Sequence, residues 1–337
     1  MSTNGDGTGT LRTRRRVLQL GGVAIAGIVA GQGTAAAEQS GWAAADTPTT
    51  ELLHEVVHSD QGPIAVGDSG IIIERDPATG DWTFVTKAAL ARSKPVYGAD
   101  VTTGGERVWF AGDSGIVGEY DPLTDTFTDW SEPNGLTSNW LDVAVQGLAG
   151  ESERVYLASD SGNMLAGERQ SDGTIAWGDV VQPLEGSSIP GLDFQDRLNG
   201  HLCSTNQAVA GTDTGNGGWE KVGIEDTSLT FHDVGSVTDS DVTVVADNGV
   251  TYYYDGGRWT GVQHSETAIR AVDRDSEFGL AAGAGGLVYE REAPTVWERT
   301  QTPVTETLQG VANDPSGTFP DVAVGSSGTV VERPGGT

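Results

Sequence analysis

Short apolar runs separated by turns recur along the chain from residue 42 onward. One β-type run precedes each turn, as at residues 64–66, and another follows it, as at residues 71–73. The turns end in glycine after small or polar residues, at residues 67–70, 112–115, 159–162, 246–249, 283–286 and 325–328. Asp and Ser side chains bond their own backbone in such turns, and glycine adopts the positive φ that a tight hairpin needs. The pattern therefore predicts a long series of β-hairpins.

The turns are spaced at the length of a propeller blade. From Gly70 to Gly328 there are 258 residues over six intervals, or 43 per repeat, which is typical of a four-stranded blade. An aromatic residue marks the last strand of each repeat: Trp82, Phe127, Trp177, Trp219, Trp259 and Trp297. The fourth repeat is degenerate, because residues 201–209 occupy the hairpin without its glycine. Helical periodicity in residues 38–337 does not exceed two turns, apart from an ambiguous segment at residues 87–92.

The two ends of this repeat region resemble each other. Residues 42–56 and 297–311 share seven of fifteen positions without a gap, including Trp42 with Trp297. The final repeat, residues 308–337, stops before any tryptophan strand of its own, and the first copy has no hairpin before it. We therefore predict one all-β domain over residues 38–337. It is a seven-bladed β-propeller of four-stranded antiparallel blades, with the N-terminal strand closing the ring.

Residues 1–37 have the pattern of a twin-arginine signal peptide. An arginine run at residues 14–16 precedes an apolar stretch at residues 18–30, and Ala35, Ala36 and Ala37 offer a cleavage site. The stretch is too short to span a bilayer of roughly 30 Å as a helix. A basic disordered tail would leave both the arginines and the small-residue site unexplained. We expect an exported protein, extracellular or associated with the cell surface, with no transmembrane span in the mature chain.

The chain is strongly acidic, with a formal net charge of −29. Removing residues 1–37 removes four arginines and one aspartate, which leaves 15 Lys+Arg against 47 Asp+Glu, a net charge of −32. An acidic, lysine-poor surface is typical of a halophilic protein, because the Debye length falls to roughly 3 Å at about 1 M salt. No basic stripe is present to bind nucleic acid. The single cysteine, Cys203, excludes an intrachain disulfide, and we expect a monomer.

The repeat resembles that of exported propellers with BNR or Asp-box repeats. The Gly-x-x-Gly-x-apolar turn is followed by Asp-x-x-Gly-x-Trp, as in residues 254–259 and, more loosely, residues 212–219. Over most of residues 42–337 the chain is similar to the photosystem II stability/assembly factor family, in a haloarchaeal version. The resemblance implies the propeller fold and a binding or assembly role, and its motifs mark fold more than function.

Catalytic motifs are scarce in this sequence. Sialidases share this kind of repeat, but the twelve arginines of residues 38–337 occupy no common repeat position that would form an arginine triad. The five histidines have no metal-ligand spacing: His54, His58, His201, His232 and His264. The turn aspartates recur once per blade, so we interpret them as structural residues on separate blades: Asp68, Asp113, Asp160 and Asp247.

A second acidic series is a candidate site. When the first strand of each repeat is aligned on an apolar residue such as Val56, five repeats have a carboxylate just before it: Glu55, Asp100, Asp142, Asp193 and Asp233. On the strands nearest the axis, these oxygens would suit a Ca²⁺ ion or a cationic or hydroxylated ligand. Alternatively, the carboxylates bond neighbouring backbone amides. His54 and His232 lie one residue away, and strand alternation predicts that they face the opposite side.

These patterns favour an exported, non-catalytic binding or assembly scaffold for an unknown protein or a polar or carbohydrate ligand. No cofactor is implied beyond the possible Ca²⁺. The alternative is a carbohydrate-active enzyme, a glycoside hydrolase or lyase, with its site at the mouth of the central channel. A pair of carboxyls with perturbed pKa values, roughly 5–9.5 Å apart in that mouth, would favour the enzyme.

Overall fold

The computed structural model describes residues 41–85, 93–224, 227–314 and 316–334. The predicted signal peptide and the ambiguous segment at residues 87–92 lie outside these residues. Within them, the strands form seven antiparallel sheets of four strands each. The prediction of a seven-bladed, all-β propeller is confirmed. No helix in the described ranges is long and apolar enough to cross a bilayer.

Each blade follows the chain outward from its first strand, and the first strands of neighbouring blades contact one another around the axis. Blade 1 comprises β2 (Leu53–Ser59), β3 (Gly62–Gly67), β4 (Ile72–Arg75) and β5 (Trp82–Phe84). Blade 2 comprises β6 (Val96–Val101), β7 (Val108–Gly112), β8 (Val117–Asp121) and β9 (Thr126–Asp129). Blade 3 comprises β10 (Trp140–Gln146), β11 (Arg154–Ser159), β12 (Met164–Arg169) and β13 (Ile175–Trp177).

Blades 4 to 7 repeat this order, although their outermost strands differ in length. Blade 4 comprises β14 (Gly191–Phe194), β15 (Gly200–Cys203), β16 (Val209–Thr212) and β17 (Glu220–Lys221). Blade 5 comprises β18 (Phe231–Thr238), β19 (Asp241–Ala246), β20 (Val250–Tyr254) and β21 (Trp259–Gln263). Blade 6 comprises β22 (Ile269–Arg274), β23 (Gly279–Gly283), β24 (Leu287–Ala293) and β25 (Val296–Gln301). Blade 7 comprises β26 (Leu308–Ala312), β27 (Asp321–Gly325), β28 (Val330–Arg333) and β1 (Ala43–Ala44).

The N-terminal strand closes the ring, as the sequence predicts. Strand β1 pairs antiparallel with β28, with Ala43 opposite Glu332. Trp42, only 2% exposed, packs with Leu308 and Val331 of the same blade. The Arg333 guanidinium lies 5.2 Å from the centre of the Trp42 ring. The last blade is thus built from both ends of the propeller domain.

Five of the six repeated turns have two consecutive residues with positive φ, as a type I′ turn requires, whereas in residues 159–162 only Gly162 has it. In the second blade, Ser114 has φ 57° and Gly115 has φ 79°, and the amide of Ile116 donates to the carbonyl of Asp113. A Cβ at Gly115 would lie 2.5 Å from the carbonyl oxygen of Leu136. Glycine is therefore needed there for its backbone conformation and for its lack of a side chain.

Buried ion pairs join neighbouring blades outside the channel. Arg169 of blade 3 bonds Glu119 of blade 2 at 2.6 Å and also pairs with Glu153. The indole N–H of Trp130 donates to Glu119 at 3.0 Å. Because both carboxylates are nearly inaccessible to water, each needs this pairing to remain charged inside the protein.

Candidate functional site

A β-bulge at the start of the first strand shapes one mouth of the channel. The first residue of the strand that pairs with the second strand is buried, and the bulge follows it directly. In blade 1 the bulge lies between Leu53 and Glu55, and in blade 5 it lies between Phe231 and Asp233. The same irregularity occurs in blades 2, 3, 6 and 7. A bulge adds one unpaired residue and redirects its side chain. The extra residue of each of these six blades is thereby turned toward the axis; the β14–β15 pairing of blade 4 has no such irregularity.

These extra residues line a cavity of about 220 Å³, which we call the bulge mouth. Six blades contribute their bulge residue: His54, Tyr97, Leu141, His232, Arg270 and Gln309. Blade 4 contributes Pro190, which directly precedes β14. Glu55, Asp142 and Asp233 lie next to them on the same wall. The bulge mouth therefore combines polar, aromatic and cationic groups from the whole ring.

The histidines of the bulge mouth are held by turn aspartates. His54 Nε2 lies 2.8 Å from Asp68 Oδ1, and His232 Nε2 lies 2.8 Å from Asp247 Oδ1. On its other nitrogen, His232 Nδ1 lies 3.2 Å from Arg270 Nη1. Burial lowers the pKa of His232 even though the bond to Asp247 acts in the opposite direction, so His232 is neutral at pH 7.

The expectation that His54 and His232 face away from the acidic residues was wrong. Strand alternation would separate neighbours such as His54 and Glu55, but the bulge places both on the same side. The turn aspartates do lie on separate blades. Asp113 is 3.7 Å from Lys94 Nζ, and Asp160 accepts a bond from Asn139 at 2.9 Å. Of the four turn aspartates, Asp68 and Asp247 are therefore the two that hold histidines of the bulge mouth.

The channel below the bulge mouth is lined by carboxyls at two alternating levels. Blades 1, 3 and 5 supply the upper carboxyls, directly after the bulge: Glu55, Asp142 and Asp233. Blades 2, 4 and 6 supply the lower carboxyls, two residues further along the strand: Asp100, Asp193 and Asp273. All six line the cavity of about 300 Å³ that continues the channel. The five predicted residues therefore converge, and Asp273 joins them.

The prediction that the five carboxylates occupy equivalent strand positions was wrong. Judged by the bulge, the residue equivalent to Asp142 in blade 2 is Gly98, whereas Asp100 is equivalent to Ala144. Gly98 is needed there, since a Cβ would lie 2.8 Å from Asp142 Oδ1. Gly191 and Gly310 make the same room for Asp233 and Glu55. An alignment shifted by two residues preserves the strand face, so the error changed the level but not the direction of the side chains.

Most of these carboxylates link their blade to the next one. Asp142 Oδ1 accepts from the amide of Val143 at 2.8 Å, and Oδ2 accepts from the amide of Leu192 in blade 4, also at 2.8 Å. The other four aspartates bond equivalent amides of the following blade: Asp100 with Val145, Asp193 with Ser236, Asp233 with Val272 and Asp273 with Asn313. Five consecutive blade junctions, from 2/3 to 6/7, are bridged in this way.

The alternative that the carboxylates bond neighbouring amides is thus confirmed for the aspartates. Glu55 differs, since it accepts from the amide of Val56 at 2.9 Å and makes no bridge to blade 2 among the described contacts. In the part of the chain that the structure describes, no group of three or more His, Cys, Asp or Glu side chains is placed to hold a metal ion. Calcium binding at these residues stays a prediction.

Burial controls the protonation of this channel. It raises the pKa of Asp100 and Asp233 to about 7, and that of Asp193 and Asp273 to about 6, against the effect of their amide bonds. Burial, with added repulsion from Asp233, also raises the pKa values of Glu55 and Asp142 well above the usual range. Burial therefore shifts these channel carboxyls toward their neutral form. In that form they do not repel an anionic group in the bulge mouth.

No protein-family profile and no curated protein match this chain. Solved structures do resemble it. YCF48 from Cyanidioschyzon merolae is 15% identical over 87% of this chain and 98% of its own, with a TM-score of 0.67. YCF48 bound to D1 peptide is 15% identical over 87% and 94% of the two chains, with a TM-score of 0.69. Virginiamycin B lyase from Staphylococcus aureus is 12% identical over 86% and 98%, with a TM-score of 0.69. At these identities the likeness shows that the chain has the β-propeller fold.

Proposed function

We propose that this chain is an exported binding scaffold that receives an anionic group of a protein partner in the bulge mouth. The observation that carries the proposal is the convergence of one residue from every blade on that mouth, with Arg270, His54 and His232 among them. Similarity to a propeller that binds D1 peptide supports a peptide ligand. The acidic composition and the leader support export into a saline environment, as a haloarchaeal relative of such assembly factors.

The size of the bulge mouth favours part of a large ligand. Sites for whole small molecules have volumes of about 300–1,000 Å³, whereas this cavity has about 220 Å³. One side chain or a chain terminus fits such a volume, and the rest of a protein partner would then lie over the surrounding hairpin turns. Backbone flanking the inserted group would contact the rim.

Arg270 gives the bulge mouth its preference for an anion. Its Nε is buried and has no hydrogen-bond partner in the described structure, while one Nη lies beside neutral His232. A carboxylate in the mouth could pair with the Arg270 guanidinium, and an Arg–carboxylate pair is a strong, directional contact. Burial favours the neutral form of the upper carboxyls below, which weakens their repulsion of that group. An anion is therefore the ligand that completes this arrangement.

A displayed peptide library tests the proposal. Peptides selected on the parent protein would be measured by fluorescence anisotropy against Arg270→Gln and against Arg258→Gln, an exposed arginine on blade 5. We expect acidic or carboxyl-terminal peptides whose affinity falls about ten-fold or more with Arg270→Gln. Arg258→Gln should bind as the parent does. Peptides that bind both variants equally, or selection of basic peptides, would refute the proposal.

A second candidate is catalysis in the same mouth by a lyase or glycoside hydrolase. It is favoured by the two His–Asp pairs together with carboxyls that have raised pKa values, since such groups act as general bases and acids. Against it, the aspartates already bond backbone amides. A panel of oligosaccharides would be incubated with the parent and with His54→Gln/His232→Gln. Cleavage or elimination that the double variant lacks would favour the enzyme over the scaffold.

A further inference from the structure

A separate cavity of about 240 Å³ lies between blades 4 and 5, away from the channel. Its wall includes His201 of β15, Gly211 of β16, Glu220 of β17 and Tyr254 of β20, together with Asp213 and Asp239 from adjoining turns. His201 is 4% exposed, whereas the three carboxylates are exposed. The cavity is thus an acidic opening with a buried imidazole in its wall.

A chain of hydrogen bonds fixes the tautomer of His201. Gln195 Nε2 donates to Asp239 Oδ1 at 2.5 Å, which turns the amide oxygen of Gln195 toward Ser236. The Ser236 hydroxyl donates to that oxygen at 2.6 Å. Its own oxygen is therefore left to accept from His201 Nδ1, at 2.7 Å. With the proton on Nδ1, the other ring nitrogen, Nε2, carries a lone pair.

The free lone pair of His201 lies beside the open wall of the cavity. Nε2 has no hydrogen-bond partner among the described residues, and a Cβ at Gly211 would lie 2.9 Å from it. Glycine at this strand position thus leaves the nitrogen accessible. Burial lowers the pKa of His201 to about 4, so the ring is neutral and its Nε2 remains an acceptor at pH 7.

The cavity offers many acceptors and no fixed positive charge. The residues that line it, all within the described ranges, include three carboxylates but no Lys or Arg. No group of three or more His, Cys, Asp or Glu side chains in those ranges is placed to hold a metal ion. A ligand with several N–H donors on one cationic group can instead bond acceptors that are further apart. Tyr254, stacked on Trp259 at 4.9 Å, adds an aromatic edge to the site.

We propose that this cavity binds an organic cation, an ammonium or guanidinium group, which donates one N–H to His201 Nε2 and pairs with Asp213, Glu220 and Asp239. The group could belong to a free amine or to a basic side chain of another protein. The site is distinct from the bulge mouth, which takes the opposite charge. Its failure would therefore leave the proposed function unaffected.

Nitrogen-detected NMR of the histidine rings tests the site at constant KCl concentration. The His201 signals are assigned by their loss in His201→Gln. Spermidine, N-acetyl-arginine amide and N-acetyl-lysine amide are titrated, with N-acetyl-glutamine amide as the neutral control. We expect a saturable shift of His201 Nε2 with at least one cation and no shift with the control. Spermidine binding alone would indicate a free amine, and binding of the amino-acid amides would indicate a basic side chain.

Two glycine variants separate occupancy from general effects. Gly211→Ala places a methyl group against Nε2, whereas Gly223→Ala lies on the same blade with nothing within 4 Å of the new carbon. We expect Gly211→Ala to lower the affinity for the cation about ten-fold or more and Gly223→Ala to leave this affinity unchanged. Asp213→Asn/Glu220→Gln, which changes only exposed side chains, should also lower the affinity for the cation. The proposal is overturned if no cation shifts His201, or if Gly211→Ala and the charge variant bind like the parent.

Discussion

Ring closure through Trp42 gives the sharpest test of the fold. Trp42 is 2% exposed, packs with Leu308 and Val331, and lies under the Arg333 guanidinium. Trp42→Ala removes all of these contacts and leaves a cavity, so we expect a loss of roughly 3–5 kcal/mol in the free energy of unfolding. Urea denaturation followed by circular dichroism measures this loss.

A matched variant distinguishes ring opening from simple loss of packing. Trp297 is the equivalent residue in the sequence repeat, is 6% exposed, and lies in blade 6, whose four strands are continuous in sequence. Trp297→Ala should cost a similar free energy. Only Trp42→Ala should also speed hydrogen exchange at β28, because β1 supplies the outer partner of that strand.

Two results would refute this account of closure. One is an equal exchange rate at β28 in the two tryptophan variants. The other is a variant lacking residues 41–50 that melts and stays in solution as the parent does. Loss of β1 exposes the edge of β28, and an exposed edge strand favours aggregation.

Three further predictions concern charge. The pKa values of Asp100 and Asp233 are raised to about 7 from an unfolded value of about 3.9, so the folded state binds more protons than the unfolded state between pH 4 and 7. The free energy of unfolding should therefore fall as pH rises through that window. Urea denaturation at each pH should show a smaller fall in Asp100→Asn/Asp233→Asn. With a net charge of −29, the melting temperature should rise between about 0.1 M and 2 M KCl, and equal values would remove the halophile inference. If calcium binds the channel carboxyls, calorimetry should give heat with the parent that Asp142→Asn/Asp193→Asn lacks, and equal heats would contradict the hypothesis.

The fold could be predicted from sequence because its signals are local and repeated. The Asp-Ser-Gly turns need left-handed residues wherever they occur, and an aromatic residue in or beside the outer strand recurs at about blade length. Closure followed from a repeat that lacked its last strand. None of these signals depends on which residues meet across the ring.

The channel is harder to predict because the alternation of apolar and polar residues does not show where a β-bulge occurs. Strand alternation therefore places His54 on the wrong side, and it gives no signal for Arg270. The correct register follows from one fully buried residue at, or two positions before, the start of each first strand: Leu53, Val96, Trp140, Ile189, Phe231, Ile269 and Leu308. The channel carboxyl lies two residues after this buried residue in blades 1, 3 and 5, and four residues after it in blades 2, 4 and 6. That count would have identified Asp273.

The alternation of upper and lower carboxyls has a geometric consequence for a ring with seven blades. Neighbouring blades avoid placing two acids at one level, and each upper acid fits against a glycine of the preceding blade. An odd ring cannot alternate throughout, so the pattern must break at some blade. It breaks at blade 7, where Gly310 and Ala312 occupy the two levels.

The break coincides with the junctions that lack a carboxylate bridge. Blades 7 and 1 are joined instead by Glu332, which accepts from the indole of Trp82 at 2.6 Å and from Arg75 at 2.9 Å. Blades 1 and 2 are joined by the Tyr120 hydroxyl, which donates to Glu74 at 3.1 Å. Both links lie on outer strands, and the junction of blades 2 and 3 has such an outer link in addition to its carboxylate bridge. Glu55 is the one channel carboxyl for which the described contacts show no bridge between blades, and its side chain lines the bulge mouth.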